Sequence, residues 1–102
     1  MVLKRDGRHE EFTREKLLSG VRKACQKRPV TPKALEDMVD SIVAAVTSRY
    51  ETEVPAEFIG TLVMGGLRDL DEVAYVRFAS VYRRFQEATD FVHEVKKMEA
   101  DK

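Results

Sequence analysis

Three prolines, at positions 29, 32 and 55, partition this chain more firmly than any other feature of its sequence. Proline lacks a backbone N–H and fixes φ, so it stands in the first turn of a helix or ends one. Pro29 ends the helix before it, because the residue preceding a proline is pushed out of helical geometry. Thr31-Pro32 starts the next, with threonine as N-cap and proline at the first helical position. Pro55 begins a third. Thr13 is a further good N-cap. The spacing predicts helices from about Arg14 to Lys27, from Pro32 to about Ser48, and from Pro55 onward.

Apolar periodicity fills these segments. Leu17, Leu18, Val21, Ala24 and Cys25 share a face of the first helix, and Leu35, Met38, Val39, Ile42 and Val46 a face of the second. Ile59, Leu62, Val63 and Gly66 mark the third, with Leu67 beside them. Gly65-Gly66 costs about 1 kcal/mol per glycine relative to alanine. Either the helix ends there or another backbone packs closely. Asp69 or Asp71 opens a fourth helix bearing Tyr75, Phe78, Ala79, Tyr82 and Phe85. Val73, Val76 and Val81 lie off that stripe, which predicts a central helix, apolar on more than one side. Thr89 caps a last helix from about Asp90 to Met98, and the tail frays. Before all of these, residues 2–12 read as a β-hairpin turning at Asp6-Gly7. The expectation is one α+β domain over residues 1–95, a short hairpin with four to five helices, and a frayed tail at 96–102.

The chain has 102 residues, 43% hydrophobic and 35% charged. A domain of this size buries roughly two-thirds of its unfolded surface, enough for a core without staples. The longest purely apolar run, Ile42 to Val46, is far short of the ~20 residues a membrane span needs. The first four residues already carry charge and no apolar leader segment follows, so a cytoplasmic protein is expected. One cysteine, Cys25, excludes an internal disulfide framework and a cysteine-rich zinc site. Its place on an apolar stripe predicts a packed thiol. His9 and His93 read as surface residues. No G-x-S-x-G, Walker A, G-x-G-x-x-G or H-E-x-x-H motif is present, so no enzyme is indicated.

The net charge of zero hides an asymmetry. Residues 1–30 carry net +5 and the remainder net −5. A basic first third points to an anionic partner, or to a solvated basic face. Arg14 and Lys16 stand in the first turn of a helix, where positive charge opposes the macrodipole. An anion bound at that helix start, such as a triphosphate, would account for them together with Lys4 and Arg5. Surface pairing with Asp6, Glu10 or Glu11 is the alternative. Glu10 would be repelled by phosphates but can accept a hydrogen bond from the exocyclic amine of a base, unless it simply faces solvent. Tyr75 and Tyr82, seven apart, either line a polar pocket or edge the core. Arg77 and Arg84 share another face.

At these residues a family resemblance is legible. V-L-K-R-D-G (2–7), E-x-F (10–12) and R-E-K-L-L (14–18) resemble the opening of an ATP-cone domain, an adenine-nucleotide sensor of ribonucleotide reductases and their regulators. V-P-A-E-x-I-G-x-L-V-M (54–64) and D-E-V-A-Y-V-R-F-A-S-V-Y-R-x-F (71–85) closely resemble the C-terminal domain of the NrdR family, bacterial repressors of ribonucleotide reductase genes. C-x-K-R-P-V (25–30) fits as well. The resemblance implies a small sheet layered on a helical bundle. It implies a nucleotide site at Val2, Lys4, Arg5, Glu10, Thr13 and Lys16, approached by Tyr75 and Tyr82. Lys4, Arg5 and Lys16 would neutralise phosphates, and Glu10 would hold the adenine amine. ATP and dATP, with Mg²⁺, are the implied ligands, and nucleotide-dependent self-association the implied response. The family's zinc ribbon, two C-x-x-C pairs that read DNA, has no counterpart in these residues, so neither zinc nor specific DNA binding is expected of them. The resulting expectation is a non-catalytic ATP/dATP-binding regulatory domain. The alternatives are the allosteric cone of a ribonucleotide reductase, and a small nucleic-acid-binding domain using the basic third. Zero net charge disfavours the last.

Overall fold

A computed structural model describes residues 1–4 and 7–100. The elements run β1 (Val2–Leu3), β2 (His9–Glu10), α1 (Arg14–Ala24), α2 (Pro32–Arg49), β3 (Val54–Pro55), α3 (Ala56–Leu70) and α4 (Glu72–Ala100). Among the described residues the architecture is four helices and a three-stranded mixed sheet, an α+β fold as expected. The strand order is β2-β1-β3. β1 pairs antiparallel with β2, Val2 opposite Glu10, and parallel with β3, Val2 opposite Val54. Gly7 has φ +88°, the left-handed conformation the turn requires, and its N–H donates to the Lys4 carbonyl at 3.0 Å. The turn's other expected residue, Asp6, lies outside the described part.

Both threonine caps form. The Thr13 hydroxyl accepts from the Lys16 N–H, and the Thr31 hydroxyl from the Ala34 N–H, each at 3.1 Å. α1 ends at Ala24 rather than near Lys27. Lys27 adopts φ 61°, which no helix continues, and the Arg77 guanidinium takes the freed carbonyls of Ala24 and Gln26 at 3.3 and 2.7 Å. Arg28 Nε donates to both Asp71 oxygens at 3.1 Å, tying this turn to the start of α4. Asp71 also accepts from the Ala74 N–H at 2.9 Å. These contacts hold its carboxyl below the usual carboxylate range, the Ala74 N–H first and then Arg28.

The core is Val21, Val39, Val63 and Leu67, all fully buried, extended by Leu18, Leu35, Ile42, Val46, Val2, Val54 and Ala74. Cys25 lies within it as expected, and burial pushes its thiol pKa up.

Four further points depart from the sequence reading. First, β3 carries no sequence signal, since two residues are too few to show alternation. Second, α3 runs straight through Gly65-Gly66. A Cβ at Gly65 would meet nothing within 4 Å, and one at Gly66 would meet the side chain of Met38, not a backbone. Third, α4 is one helix to Ala100, with no break at Thr89. Its sequence holds neither glycine nor proline, and the Thr89 hydroxyl donates back to the Phe85 carbonyl at 2.9 Å instead of capping. Fourth, α4 is not central. Ala74 is its one buried residue, while Val81, Phe85, Phe91, Val92 and Met98 are exposed. Twenty-nine residues make a rod of roughly 43 Å. It gives the molecule its 53 Å long axis against 30 and 18 Å.

Candidate functional site

Where the hairpin, the start of α1 and the α3–α4 pair converge lies a cavity of about 260 Å³. β1 contributes Val2 and, just after it, Lys4. β2 contributes Glu10, followed by Glu11 and Phe12. The first turn of α1 brings Thr13, Lys16 and Leu17. α3 supplies Ala56, Glu57, Ile59, Gly60 and Val63, and α4 supplies Phe78, Tyr82, Phe85 and Gln86. Two ammonium groups and a helix N-terminus thus share one space with several aromatic rings.

Lys4 organises one wall. Its Nζ stands 2.9 Å from Glu10 Oε2 and 5.5 Å from the centroid of the Phe85 ring. The antiparallel register sets Glu10 opposite Val2, so Lys4, just past β1, is its diagonal neighbour. The hydrogen bond and charge of Lys4 hold the Glu10 carboxyl below its ordinary range, and the charges of Lys16 and Arg8 act the same way. Thr13 caps α1 with a hydroxyl oxygen, which leaves its O–H able to donate. Neighbouring Arg14 points elsewhere. Its Nε donates to Asp40 Oδ1 on α2 at 2.7 Å.

Of the residues expected to form the site, Val2, Lys4, Glu10, Thr13, Lys16 and Tyr82 line this cavity. Tyr75 does not. Its hydroxyl accepts from Arg68 Nη2 at 2.6 Å, the guanidinium lies 4.6 Å from its ring centroid, and it borders a separate pocket of about 420 Å³ with Arg83 and Arg84. Arg5 lies outside the described residues. His9, exposed on β2, pairs with Glu53. Phe12, Glu57, Gly60, Phe85 and Gln86 are lining residues that sequence reading did not nominate. For Gly60 the available signal was its place four residues after Ala56 on the face shared with Val63. For Gln86 it was its place four residues after Tyr82.

A small mixed sheet laid against four helices, with a cavity of charged and aromatic side chains at their junction, defines a class. The chain belongs to the ATP cone domain family, whose model matches residues 1–88. Within that class it is similar to proteins named transcriptional repressor NrdR. It shares 54% identity with that of Pelotomaculum thermopropionicum over 98 residues, covering 96% of this chain and 59% of the relative. Identity is 53% with that of Desulforamulus reducens, covering 96% of this chain and 62% of the relative. The Alkaliphilus oremlandii protein is 46% identical over all 102 residues, 66% of its own length. The chain therefore spans about three-fifths of the length of the first of these relatives. Among the described residues, no helix is long and apolar enough to cross a membrane.

Proposed function

We propose that this chain is the nucleotide-sensing regulatory domain of an NrdR-type transcriptional repressor. It binds ATP and dATP without turning them over, and the bound nucleotide sets its self-association and so the repression of ribonucleotide reductase genes in the cytoplasm. The observation that carries this reading is the mixed character of the cavity. Lys4 and Lys16 share it with Phe12, Phe78, Tyr82 and Phe85. A flat heteroaromatic base joined to a polyanion has both chemistries in one molecule.

The donor set fits such a ligand. Lys4, Lys16 and the opening turn of α1 meet negative charge with positive charge and N–H groups. Phosphate arriving at Lys4 competes with Glu10 for the same ammonium, and a Glu10 carboxylate so released can accept from the adenine amine. Val2 frames the base through its backbone, and Tyr82 supplies a ring face. Arg5 is proposed as a third phosphate partner. Mg²⁺ arrives with the triphosphate, neutralising part of its charge. Sequence-specific DNA contact is assigned to a zinc ribbon outside these residues.

Calorimetric titration with ATP, dATP, GTP and duplex DNA tests the reading. Both adenine nucleotides should bind with Mg²⁺, and each of Lys4→Ala and Lys16→Ala should weaken them about 10- to 150-fold, one charge-assisted contact apiece. A folded double variant with wild-type affinity would mean the phosphates lie elsewhere. A wild-type protein that binds neither nucleotide would overturn the proposal.

A further inference from the structure

Ala56, Gly60, Val63 and Leu67 follow one another at helical spacing along one face of α3. The pair toward the core, Val63 and Leu67, is bulky and fully buried. The pair toward the cavity is small, and the ring of Tyr82 from α4 lies in the space so left. A Cβ built on Gly60 would stand 2.6 Å from Tyr82 Cζ, 2.7 Å from Cε2 and 2.8 Å from the hydroxyl oxygen. Ordinary carbon contacts are roughly 3.5–4.0 Å, so the ring rests directly on the α3 backbone. Phe78, one turn earlier on α4, stacks beside it with centroids 6.1 Å apart and planes 13° from parallel. Gly60 and both rings line the cavity.

We infer that Gly60 is a positioning residue of this cavity: its missing side chain seats the Tyr82 ring against α3, where the ring serves as wall instead of filling the space. The inference rests on the nucleotide reading above for what the cavity holds. A tyrosine ring is rigid and its Cβ is fixed to α4. Relief of a clash at residue 60 comes only from a χ1 change, which offers few staggered wells, or from α4 moving off α3. Either one reshapes the wall. The other glycines of α3 lack this property. Gly65 faces open space, and Gly66 meets the Met38 thioether, a flexible chain that can swing aside.

The test is a mutant cycle read by ATP titration and by the aromatic NMR signals of Tyr82 without ligand. Gly60→Ala should weaken ATP binding by about 2- to 150-fold, the range for coupled neighbours, and move the Tyr82 ring signals. Gly65→Ala should leave both unchanged. In a Tyr82→Ala background, Gly60→Ala should add nothing further. Equal weakening in both backgrounds, or unmoved ring signals with unchanged affinity, overturns the inference. If Gly60→Ala does not fold, the Gly60→Ala, Tyr82→Ala double variant decides. Folding of the double supports the seat, and failure to fold overturns it. A wild-type protein that binds no ATP overturns the nucleotide reading alone, and the ligand-free ring signals still judge whether Gly60 seats Tyr82.

Discussion

Lys4 is held between a carboxylate and an aromatic ring, and this sets the acid–base behaviour of Glu10. The folded pKa of Glu10 lies below its ordinary value, chiefly through Lys4. A depressed carboxyl contributes stability above its unfolded pKa and loses it as pH falls through the folded one. The Lys4–Glu10 pair therefore strengthens the fold at neutral pH and fails in acid. With Glu10 half exposed, the gain is at most about 1 kcal/mol and is reduced by salt. NMR titration of Glu10 should show its midpoint rise in Lys4→Ala, and rise also when ATP draws Lys4 away. A midpoint insensitive to both changes would contradict the pairing. Base recognition gives a second prediction at this position. Glu10→Ala should lower the preference for adenine over guanine more than Glu10→Gln, because the amide keeps an acceptor oxygen. Competition titration with ATP and GTP measures it, and equal binding of the two by the wild type would defeat it. Lys4, Glu10, Thr13 and Lys16 were legible in the sequence because a hairpin and a helix cap bring them together within a few residues. Phe85, Gln86 and Gly60 were not. Helical spacing groups them with Ala56 or Tyr82, but which face borders the cavity depends on how α3 and α4 cross.

Helix caps offer a controlled comparison between elements. Thr13 and Thr31 make the same 3.1 Å bond to the N–H of the third residue of their helices, one at the cavity and one outside its lining. Thr31→Ala should cost about 0.5–2 kcal/mol of stability and leave ATP affinity unchanged. Thr13→Ala should cost a similar amount and weaken ATP binding as well. Urea unfolding paired with titration separates the two effects, and matched binding by both variants would remove Thr13 from the site. The helices themselves were readable because prolines and caps bound them and apolar spacing fills them. β3 was not, since Val54 is held by its pairing with β1 and not by a run of its own. The unity of α4 was missed for a different reason. A threonine followed by an aspartate resembles a start signal, but with no glycine or proline near it the preceding helix has no cause to stop.

At the scale of the whole molecule, α4 reaches past the body and leaves Phe91, Val92, Val95 and Met98 in solvent. Apolar surface of that kind favours association, which is the response proposed for this domain. Light scattering should give different masses for the ligand-free, ATP-bound and dATP-bound states, with the nucleotides favouring different packings by about 1–3 kcal/mol. Val92→Lys should lower the mass while sparing the melting temperature and ATP affinity. One unchanged mass in all states would remove self-association from the proposal. The parallel pairing of β1 with β3 bears on the order of folding events. Val2 finds Val54 only after α1 and α2 intervene, whereas each helix is local. Closing that long loop costs chain entropy that a local helix does not, and the prediction is that the cavity bordered by Val2 forms only after the main barrier. A ligand that recognises only the completed cavity acts on the way out and not on the way in. In stopped-flow experiments ATP at about 100 times its Kd should slow unfolding by about 100-fold and leave refolding nearly unchanged. Refolding accelerated by ATP would place β1 against β3 already at the barrier.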